Sequence, residues 1–263
     1  MASRPVIALL TDFGQRDHYV AAMKGVLATV CPDAAMVDIT HEIAPQDVRG
    51  AAYELAAAWP YFPDGTIFLT VVDPGVGTTR PAVAARIGSC SYVGPDNGTA
   101  DLVLTGRPAP EAVLLTNSKY ARSVVSATFE GRDRFAPAAA WLARGTPMAA
   151  FGPATTLIRR LSWAAPREQG DELLGEILHV DRFGNLVTNI DRRRWVLTAG
   201  VARISLADRD GVPLVRTYRE AAEGSLVALF GSTDRLEIAI VGGSAAQILG
   251  VGRGAPVRVQ KGA

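Results

Sequence analysis

Two aspartates stand where apolar, strand-like runs of the N-terminal half end. Asp12 follows "PVIALLT" and Asp73 follows "GTIFLTVV", and the glycine-rich stretch "DPGVGTTR" leads from Asp73 to Arg80, seven residues later. A carboxylate can orient a water or accept its proton, and a guanidinium can stabilise the negative charge that develops on the oxygen. Each aspartate alone also fits a helix cap or an Asx turn. Together they indicate a polar site at the carboxyl ends of strands.

The glycines after Asp73 do not match a phosphate-binding loop. The sequence contains neither GxxxxGK[ST] nor a GxGxxG that opens a helix, and the "PAVAARIG" that follows is strand-like, so no helix N-terminus is offered to an anion. We expect a tight turn that aims Asp73 into a cleft. Arg80, just past this turn, belongs either to the same cleft or to the surface.

Three further polar clusters are candidates for the same site. "YVGPDNG" is a strong turn signal, and its backbone and Asn97 are expected to line the cleft. "TFEGRDRF" places Glu130, Arg132, Asp133 and Arg134 at the start of a helix, where we expect most of the charges to be solvated. "VDRFGNLVTNI" predicts a turn between two strands, whose phenylalanine is either a partly exposed side chain or a platform for a flat ring.

The pattern of elements changes along the chain. Strand-like and helix-like segments alternate up to about residue 160, which predicts a largely parallel sheet covered on both faces. Short strand-like runs separated by turn residues follow, as is typical of a small barrel or sandwich. The predicted fold class is therefore α/β, with an N-terminal domain over 1–160, a linker over 161–171 and a smaller C-terminal β-barrel-like domain over 172–263.

Composition narrows the classes of function. The chain has 263 residues, of which 48% are hydrophobic, and its formal net charge of +1 argues against nucleic acid or an anionic membrane as a partner. Cys31 and Cys90 form no CxxC pair, so we expect buried, reduced thiols rather than a zinc or redox site. No run approaches the roughly 20 apolar residues of a membrane span, and no signal peptide is recognisable. We expect a cytoplasmic protein.

Five segments, taken together, resemble one family. "TDFGQRDHYVAAMKGV", "VVDPGVGTTR", "YVGPDNG", "GRDRFAPAAA" and "DRFGNLVTNI" occur in the order and spacing of the S-adenosylmethionine hydroxide adenosyltransferase family, a relative of the fluorinases and chlorinases. The resemblance runs over nearly the whole chain. It implies an N-terminal α/β domain, a C-terminal β-barrel-like domain and a homotrimer that binds S-adenosylmethionine at subunit interfaces between one N-terminal and one C-terminal domain. It also implies hydrolysis of S-adenosylmethionine (SAM) to adenosine and L-methionine, with no cofactor and no metal.

The resemblance assigns a role to individual residues. In the family an Asp, an Arg and a His activate the nucleophile, and Asp73 and Arg80 match the first two. The remaining matches concern substrate binding: Asp12 on the ribose hydroxyls, Phe183 and Asn185 on the adenosine portion, Tyr218 stacking on adenine, and Asp181 and Ser232 on the amino and carboxylate ends of methionine. Asn97, predicted from its turn to line the cleft, is counted with these substrate-binding residues.

The chain departs from the family pattern at the third catalytic position. The family usually reads "TFHGRD", whereas this chain reads "TFEGRD", so Glu130 replaces the histidine. Beside Arg80 we expect it to ionise and to neutralise part of the guanidinium charge. A carboxylate is also an adequate base, and partial desolvation could raise the pKa of such a group toward neutrality. We therefore predict Glu130 as the third catalytic residue, with a slower reaction. A second departure, "GSTDRLEIAIVGGSAA" in place of an "NSFGYLEIAVNGGNAA"-like segment, affects the expected methionine contacts.

Alternative functions stay open at this point. A protein weakened at Glu130 could bind SAM or adenosine without turnover. Asp12 and Asp73 could instead hold Mg²⁺ in a phosphohydrolase, since hard cations favour oxygen ligands. Halide transfer is disfavoured, because Asp73 and Glu130 would surround the halide with negative charge.

Overall fold

In the computed structural model, which describes residues 4–156, 158–196 and 203–260, the chain divides into two units, one up to Leu161 and one from Ser162 on. Each unit has its own sheet and its own apolar core. The segment 161–171, predicted as a linker, includes a short strand, Arg167–Gln169, that pairs within the second unit.

The first unit contains seven strands and four α-helices among the described residues. Its strands are β1 (Val6–Thr11), β2 (Ala35–Thr40), β3 (Ile67–Val71), β4 (Ala82–Ile87), β5 (Cys90–Pro95), β6 (Glu111–Leu114) and β7 (Ala154–Thr155). Its helices are α1 (Tyr19–Val30), α2 (Val48–Ala58), α3 (Asp101–Leu104) and α4 (Ala136–Ala143), the last preceded by a π-helical turn, Gly131–Phe135.

The sheet of the first unit has the order β2-β1-β3-β5-β4-β6-β7. The pairs from β2 to β5 are parallel, whereas β4 joins β5 in an antiparallel hairpin and β6 and β7 continue antiparallel. The predicted α/β class is confirmed, and the sheet is mixed rather than parallel throughout. The antiparallel half arises because β4 and β5 are connected by only Gly88 and Ser89, which is too short for a parallel crossover.

Helices cover both faces of this sheet, as the alternating pattern predicts. Residues Met23 and Leu27 of α1 pack with the alanines of α4 on one face, and Leu55 of α2 packs with Leu104 of α3 on the other. Because both faces are covered, β1 and β3 are apolar along nearly their whole length. Because β1 and β3 run parallel, the polar residues that follow them, Asp12 and Asp73, lie at the same edge of the sheet.

The second unit is built from antiparallel strands. They are β8 (Arg167–Gln169), β9 (Glu172–Val180), β10 (Leu186–Asp191), β11 (Arg203–Leu206), β12 (Arg209–Val212), β13 (Leu226–Phe230), β14 (Arg235–Ile240) and β15 (Pro256–Gln260), with short helices α5 (Arg192–Val196) and α6 (Ala245–Leu249).

The long strand β9 closes the second unit into a barrel-like sheet. Its first half pairs with β15 and its last residues pair with β10, so the sheet order runs β12-β11-β15-β9-β10-β14-β13, with β8 on the side of β9. The approach at Gly175 is so close that a Cβ there would lie 2.6 Å from Asn189 Oδ1. The predicted barrel-like C-terminal fold is confirmed.

Two composition-based predictions concern single features of the fold. Cys31 and Cys90 are buried free thiols, as expected. Within the described ranges, none of the helices combines the length and the apolar character needed to cross a bilayer.

The turn after β3 depends on a glycine. Gly77 has φ +77°, and a Cβ there would lie 2.8 Å from the carbonyl oxygen of Ala127. The turn that begins at Asp73 is thereby packed directly against the segment that leads to Glu130. Gly65, in the turn before β3, has a similar φ of +81° but open space around the Cβ position.

These two glycines provide a matched pair for a stability test. We expect Gly65→Ala to lower the free energy of unfolding by roughly 1–2 kcal/mol, the cost of a left-handed alanine. Gly77→Ala adds a backbone clash, so its loss should reach about 3 kcal/mol or more. Urea unfolding of both variants measures the difference, and equal losses would contradict the packing of this turn.

Candidate active site

The carboxyl ends of β1 and β3 place Asp12 and Asp73 at one cavity of the first unit. The two strands are parallel neighbours, with Thr11 opposite Val71, so the residues that follow them emerge at the same edge. The cavity has a volume of about 320 Å³, and its lining includes Asp12, Asp73 and Glu130. Three of the residues that the sequence selects are therefore brought together.

Arg80 forms a buried ion pair with Asp73. Its Nε donates to Asp73 Oδ1 (2.8 Å) and Oδ2 (3.0 Å), and its Nη2 donates to Asp73 Oδ2. The side chains of Arg80 and Asp73 are only 9% and 6% exposed, so water screens their charges little. Burial lowers the pKa of the Arg80 guanidinium, but the hydrogen bond and charge of Asp73, together with Glu130, outweigh it and raise that pKa above its ordinary value.

Glu130 shares the same guanidinium. Its Oε2 accepts from Arg80 Nη2, the nitrogen that also donates to Asp73. Its other oxygen, Oε1, accepts from Nε of Arg134 at 2.8 Å, and Nη1 of Arg134 donates to the carbonyl oxygen of Leu115 at 2.6 Å. Two carboxylates and two guanidiniums thus form a connected cluster of zero formal charge at the cavity.

The prediction that the charges of "TFEGRDRF" are mostly solvated is wrong. Asp133 is fully buried and accepts hydrogen bonds from Nε of Arg132 (2.7 Å) and from the backbone N–H of Ser126 (2.9 Å). Burial raises the pKa of Asp133, but Arg132 and Ser126 outweigh it, so that the pKa lies below its ordinary value. The side chain of Glu130 is 15% exposed. Asp133 ties the π-helical turn to the segment before it, which holds Glu130 in place.

An aromatic wall lines the other side of this cavity. Phe13, Tyr19 and Phe129 contact one another, with ring centroids 5.2–5.8 Å apart. The wall gives the cavity an aromatic surface beside the carboxylates of Asp73 and Glu130. The sequence analysis did not select these residues, although each lies within one or two positions of a selected charge or in the same motif.

Asp12 has a second contact that shapes the cavity. Its Oδ2 accepts from the backbone N–H of Gln46 at 2.8 Å. Gln46 has φ +66°, a left-handed conformation that is unusual for a residue with a side chain, and it also lines the cavity. The carboxylate of Asp12 therefore helps to hold a strained backbone at the edge of the site.

Asn97 holds the backbone rather than facing this cavity. Its Nδ2 donates to the carbonyl oxygen of Val72 (2.7 Å), and its Oδ1 accepts from the backbone N–H and hydroxyl of Thr99. These bonds tie the turn after β5 to the end of β3, directly before Asp73. In the described structure Asn97 acts on the site through the position of that strand end.

The other five selected residues line one cavity of the second unit. The cavity has a volume of about 1000 Å³, and its lining includes Asp181, Phe183, Asn185, Tyr218 and Ser232. Such a volume accommodates a molecule of nucleoside size.

Asp181 organises the turn between β9 and β10. Its Oδ1 accepts from the backbone N–H groups of Phe183 and Asn185, both at 2.8 Å, and its Oδ2 accepts from the side-chain amide of Asn185 at 2.9 Å. Gly184 has φ +83°, and a Cβ there would lie 2.0 Å from Ser244 Oγ. This tight turn leaves the ring of Phe183 76% exposed at the cavity, where it can contact a flat ligand.

Glu237 is a site residue that the sequence analysis missed. It lies on β14 between the core residues Leu236 and Ile238, faces the cavity, is 8% exposed and accepts a hydrogen bond from the hydroxyl of Tyr218. Burial raises its pKa above the ordinary value, with Asp181 adding to the effect and Tyr218 opposing it. An acidic residue inside an apolar strand is the signal that could have identified it.

No group of three or more His, Cys, Asp or Glu side chains placed to hold a metal ion occurs among the described residues. Asp73, one of the two aspartates that a magnesium site would require, gives both its oxygens to Arg80. A cation would have to compete with that guanidinium.

The raised pKa of Glu237 predicts a pH dependence of stability. Below the ordinary glutamate pKa of about 4.3 the residue is protonated in both states, and its contribution is fully present. As pH rises, the unfolded state ionises first, so the folded state loses stability until the folded pKa is passed. We expect Glu237→Gln to abolish this loss and Tyr218→Phe to enlarge it. Urea unfolding between pH 4 and 8 measures both, and an unchanged pH profile in E237Q would contradict the assignment.

Comparisons with known proteins place this geometry in a family. The model of the SAM hydroxide adenosyltransferase N-terminal domain matches residues 7–152, and that of the C-terminal domain matches residues 175–258. An (R)-S-adenosyl-L-methionine hydrolase from Thermus thermophilus is 44% identical, over 97% of this chain and 99% of the relative. A fluorinase from Actinoplanes sp. is 32% identical, over 89% of this chain and 90% of the relative.

The fold is similar to a solved structure as well. The crystal structure of an uncharacterized conserved protein from Thermotoga maritima superposes with a TM-score of 0.90 at 34% identity, covering 97% of this chain and 99% of that one. The residues that the two family models match make up most of the chain, and they include the residues that line both cavities. The chain belongs to the SAM hydroxide adenosyltransferase family.

Proposed function

We propose that this protein hydrolyses S-adenosyl-L-methionine to adenosine and L-methionine. The observation that carries the proposal is the buried Asp73–Arg80 ion pair beside a cavity lined by Asp12 and an aromatic wall, in a chain that is similar over its full length to (R)-S-adenosyl-L-methionine hydrolases. Because those relatives are named for the R configuration at sulfur, we propose the R epimer as the preferred substrate.

The proposed reaction is a displacement at the 5′ carbon of the ribose. The oxygen of water forms a bond to this carbon, the carbon–sulfur bond breaks, and its electron pair goes to the sulfonium sulfur. Methionine then leaves as a neutral thioether, so the leaving group needs no acid. The proton of the water passes to a carboxylate and then to solvent. The difficult step is to activate a water whose pKa is about 15.7 in bulk.

Asp73 and Arg80 fit this step. The carboxylate of Asp73 accepts the proton or orients the water, and the guanidinium of Arg80 stabilises the negative charge that develops on the oxygen. Both groups are fixed by mutual hydrogen bonds and nearly removed from solvent, so they need little reorganisation during the reaction. Alignment of water, carbon and sulfur contributes much of the remaining acceleration.

Taken by itself, the cavity of the second unit offers groups that suit parts of SAM. The exposed ring of Phe183 and the ring of Tyr218 suit the adenine, and Asn185 offers an amide beside them. Asp181 accepts three hydrogen bonds from its own turn, and a carboxylate has about four acceptor positions, so it retains capacity for the methionine ammonium. Ser232, on the same cavity, suits the methionine carboxylate.

Glu130 favours a second candidate function. Arg80 Nη2 donates to both Asp73 and Glu130, so part of the guanidinium charge is neutralised before any hydroxide forms. A protein that binds SAM or adenosine with little turnover is consistent with that sharing. With both guanidiniums already paired to carboxylates, the cluster offers no net positive charge to a halide, which disfavours halide transfer even though fluorinases are among the relatives.

The homotrimer and the cytoplasmic location stay predictions that rest on the resemblance and on composition. Sedimentation equilibrium measures the first. A monomer at substrate-saturating conditions would contradict it.

The main prediction concerns turnover. Purified protein incubated with the separate R and S epimers of SAM should release adenosine and methionine in equal amounts, faster from the R epimer, and chromatography measures both products. Tight binding in calorimetry with no adenosine above the uncatalysed background would favour the binding protein. A 5′-halo product on addition of chloride or fluoride would overturn the argument against halide transfer.

Two variants test the roles of the acids. Asp73→Asn should lower kcat by about 10²–10³-fold, since it removes the proton acceptor. Asp33→Asn, at an exposed aspartate of the same unit, is the control and should leave kcat unchanged. Glu130→His should raise kcat, because it removes the carboxylate that competes for Arg80. A lower kcat in E130H would show that Glu130 itself takes part in proton transfer.

A further inference from the structure

Arg134 lies next to the proposed catalytic cluster without facing the substrate cavity. It belongs to the π-helical turn Gly131–Phe135. Neither Arg134 nor Arg80 is among the described residues that line the cavity, but Arg80 binds both Asp73 and Glu130, whereas Arg134 binds Glu130 alone of these two acids. Its guanidinium spans from Glu130 Oε1 (2.8 Å) to the carbonyl oxygen of Leu115 (2.6 Å), and its side chain is 28% exposed. Two nitrogens of this guanidinium, Nε and Nη1, are therefore held by hydrogen bonds.

The contact of Arg134 divides the two oxygens of Glu130. One oxygen accepts from Arg80 and the other from Arg134. A carboxylate held at both oxygens cannot rotate to present both of them to Arg80. Asp73, by contrast, does place both its oxygens on Arg80 Nε, so Arg134 keeps Glu130 the weaker of the two competitors for that guanidinium.

The charges lead to the same conclusion. With Arg134 the cluster has two carboxylates and two guanidiniums, whereas without it Asp73 and Glu130 would share the charge of Arg80 alone. Arg80 would then have less charge to offer to a developing hydroxide. The need for Arg134 arises from the carboxylate at position 130, because a neutral side chain there would not compete for Arg80.

We propose that Arg134 is a positioning residue for the reaction: it holds the carboxylate of Glu130 so that the guanidinium of Arg80 stays oriented on Asp73 and available to the attacking water. This inference rests on the proposed hydrolysis. It assigns to Arg134 an effect on kcat that acts only through Glu130, with no contact to substrate.

A double-mutant cycle tests the proposal. Arg134→Gln should lower kcat for SAM by about tenfold, with KM changed by less than about twofold, and Arg134→Lys should restore most of the loss. In the Glu130→His background, Arg134→Gln should change kcat by less than about twofold. An equal loss in both backgrounds, a loss confined to KM, or no loss at all would overturn the proposal.

Arg144→Gln is the control. Arg144 directly follows α4, the helix that begins after the same turn, but it is exposed and its guanidinium donates to the carbonyl oxygen of Val30 rather than to any group of the cluster. Its loss should leave kcat unchanged. A fall in kcat as large as that of R134Q would mean that the effect is not specific to the contact with Glu130, and would overturn the proposal. If R134Q does not fold, R134K takes its place, with a smaller loss that must also vanish in E130H.

A crystal structure of R134Q separates this proposal from the proposed function. Absence of turnover in the unmodified protein would refute the hydrolysis, but the position of Glu130 can still be measured. We expect the carboxylate of Glu130 to rotate in R134Q and to place both oxygens toward Arg80. An unchanged Glu130 would refute the positioning role, whatever the activity.

Discussion

A single guanidinium shared between two carboxylates is the constraint on which the site depends. Arg80 is nearly buried, bonded to both oxygens of Asp73 and to one oxygen of Glu130, with its guanidinium carbon 5.3 Å from the ring centroid of Phe135. A buried charge must be compensated, and leaving any of these groups unpaired would be costly. The surrounding elements are arranged so that each acid reaches Arg80 from a different part of the chain.

The fold provides three separate approaches to that point. Strand β3 ends two residues before Asp73, and the turn through Gly77 returns Arg80 to it. Glu130, which directly precedes the π-helical turn, reaches Arg80 from a third segment of the chain. The extra residue of a π-helical turn widens the start of α4, and such turns are frequent at functional sites. The buried Asp133 anchors this turn by accepting hydrogen bonds from Arg132 and from the backbone N–H of Ser126.

The positions of Asp12 and Asp73 at strand ends could be predicted from local sequence signals alone. The five residues of the second cavity could be predicted only from those signals together with the resemblance. Asp12 and Asp73 follow apolar runs whose length and composition already specify buried strands. The burial of the "TFEGRDRF" charges could not be deduced, because a charged run at a helix start has the same local pattern whether its partners are water or distant side chains. For the same reason, the hydrogen bond from Arg134 to the carbonyl oxygen of Leu115, nineteen residues away, could not be predicted from the sequence. Glu237 is the opposite case, because an acidic residue between the core residues Leu236 and Ile238 is itself a local sign of a buried polar site.

The carboxylate of Glu130 therefore affects the whole cluster rather than its own position alone. A carboxylate there adds a negative charge that Arg80 alone would have to compensate, and the chain carries a second guanidinium four residues later that takes up the other oxygen. The second guanidinium brings the formal charge of the cluster to zero. Because Arg134 is also bonded to the carbonyl oxygen of Leu115, the cluster has a defined geometry beside the aromatic wall. In the proposed reaction, the rate depends on how much of the charge of Arg80 remains for the attacking oxygen, and this depends on the whole cluster rather than on any one of its members.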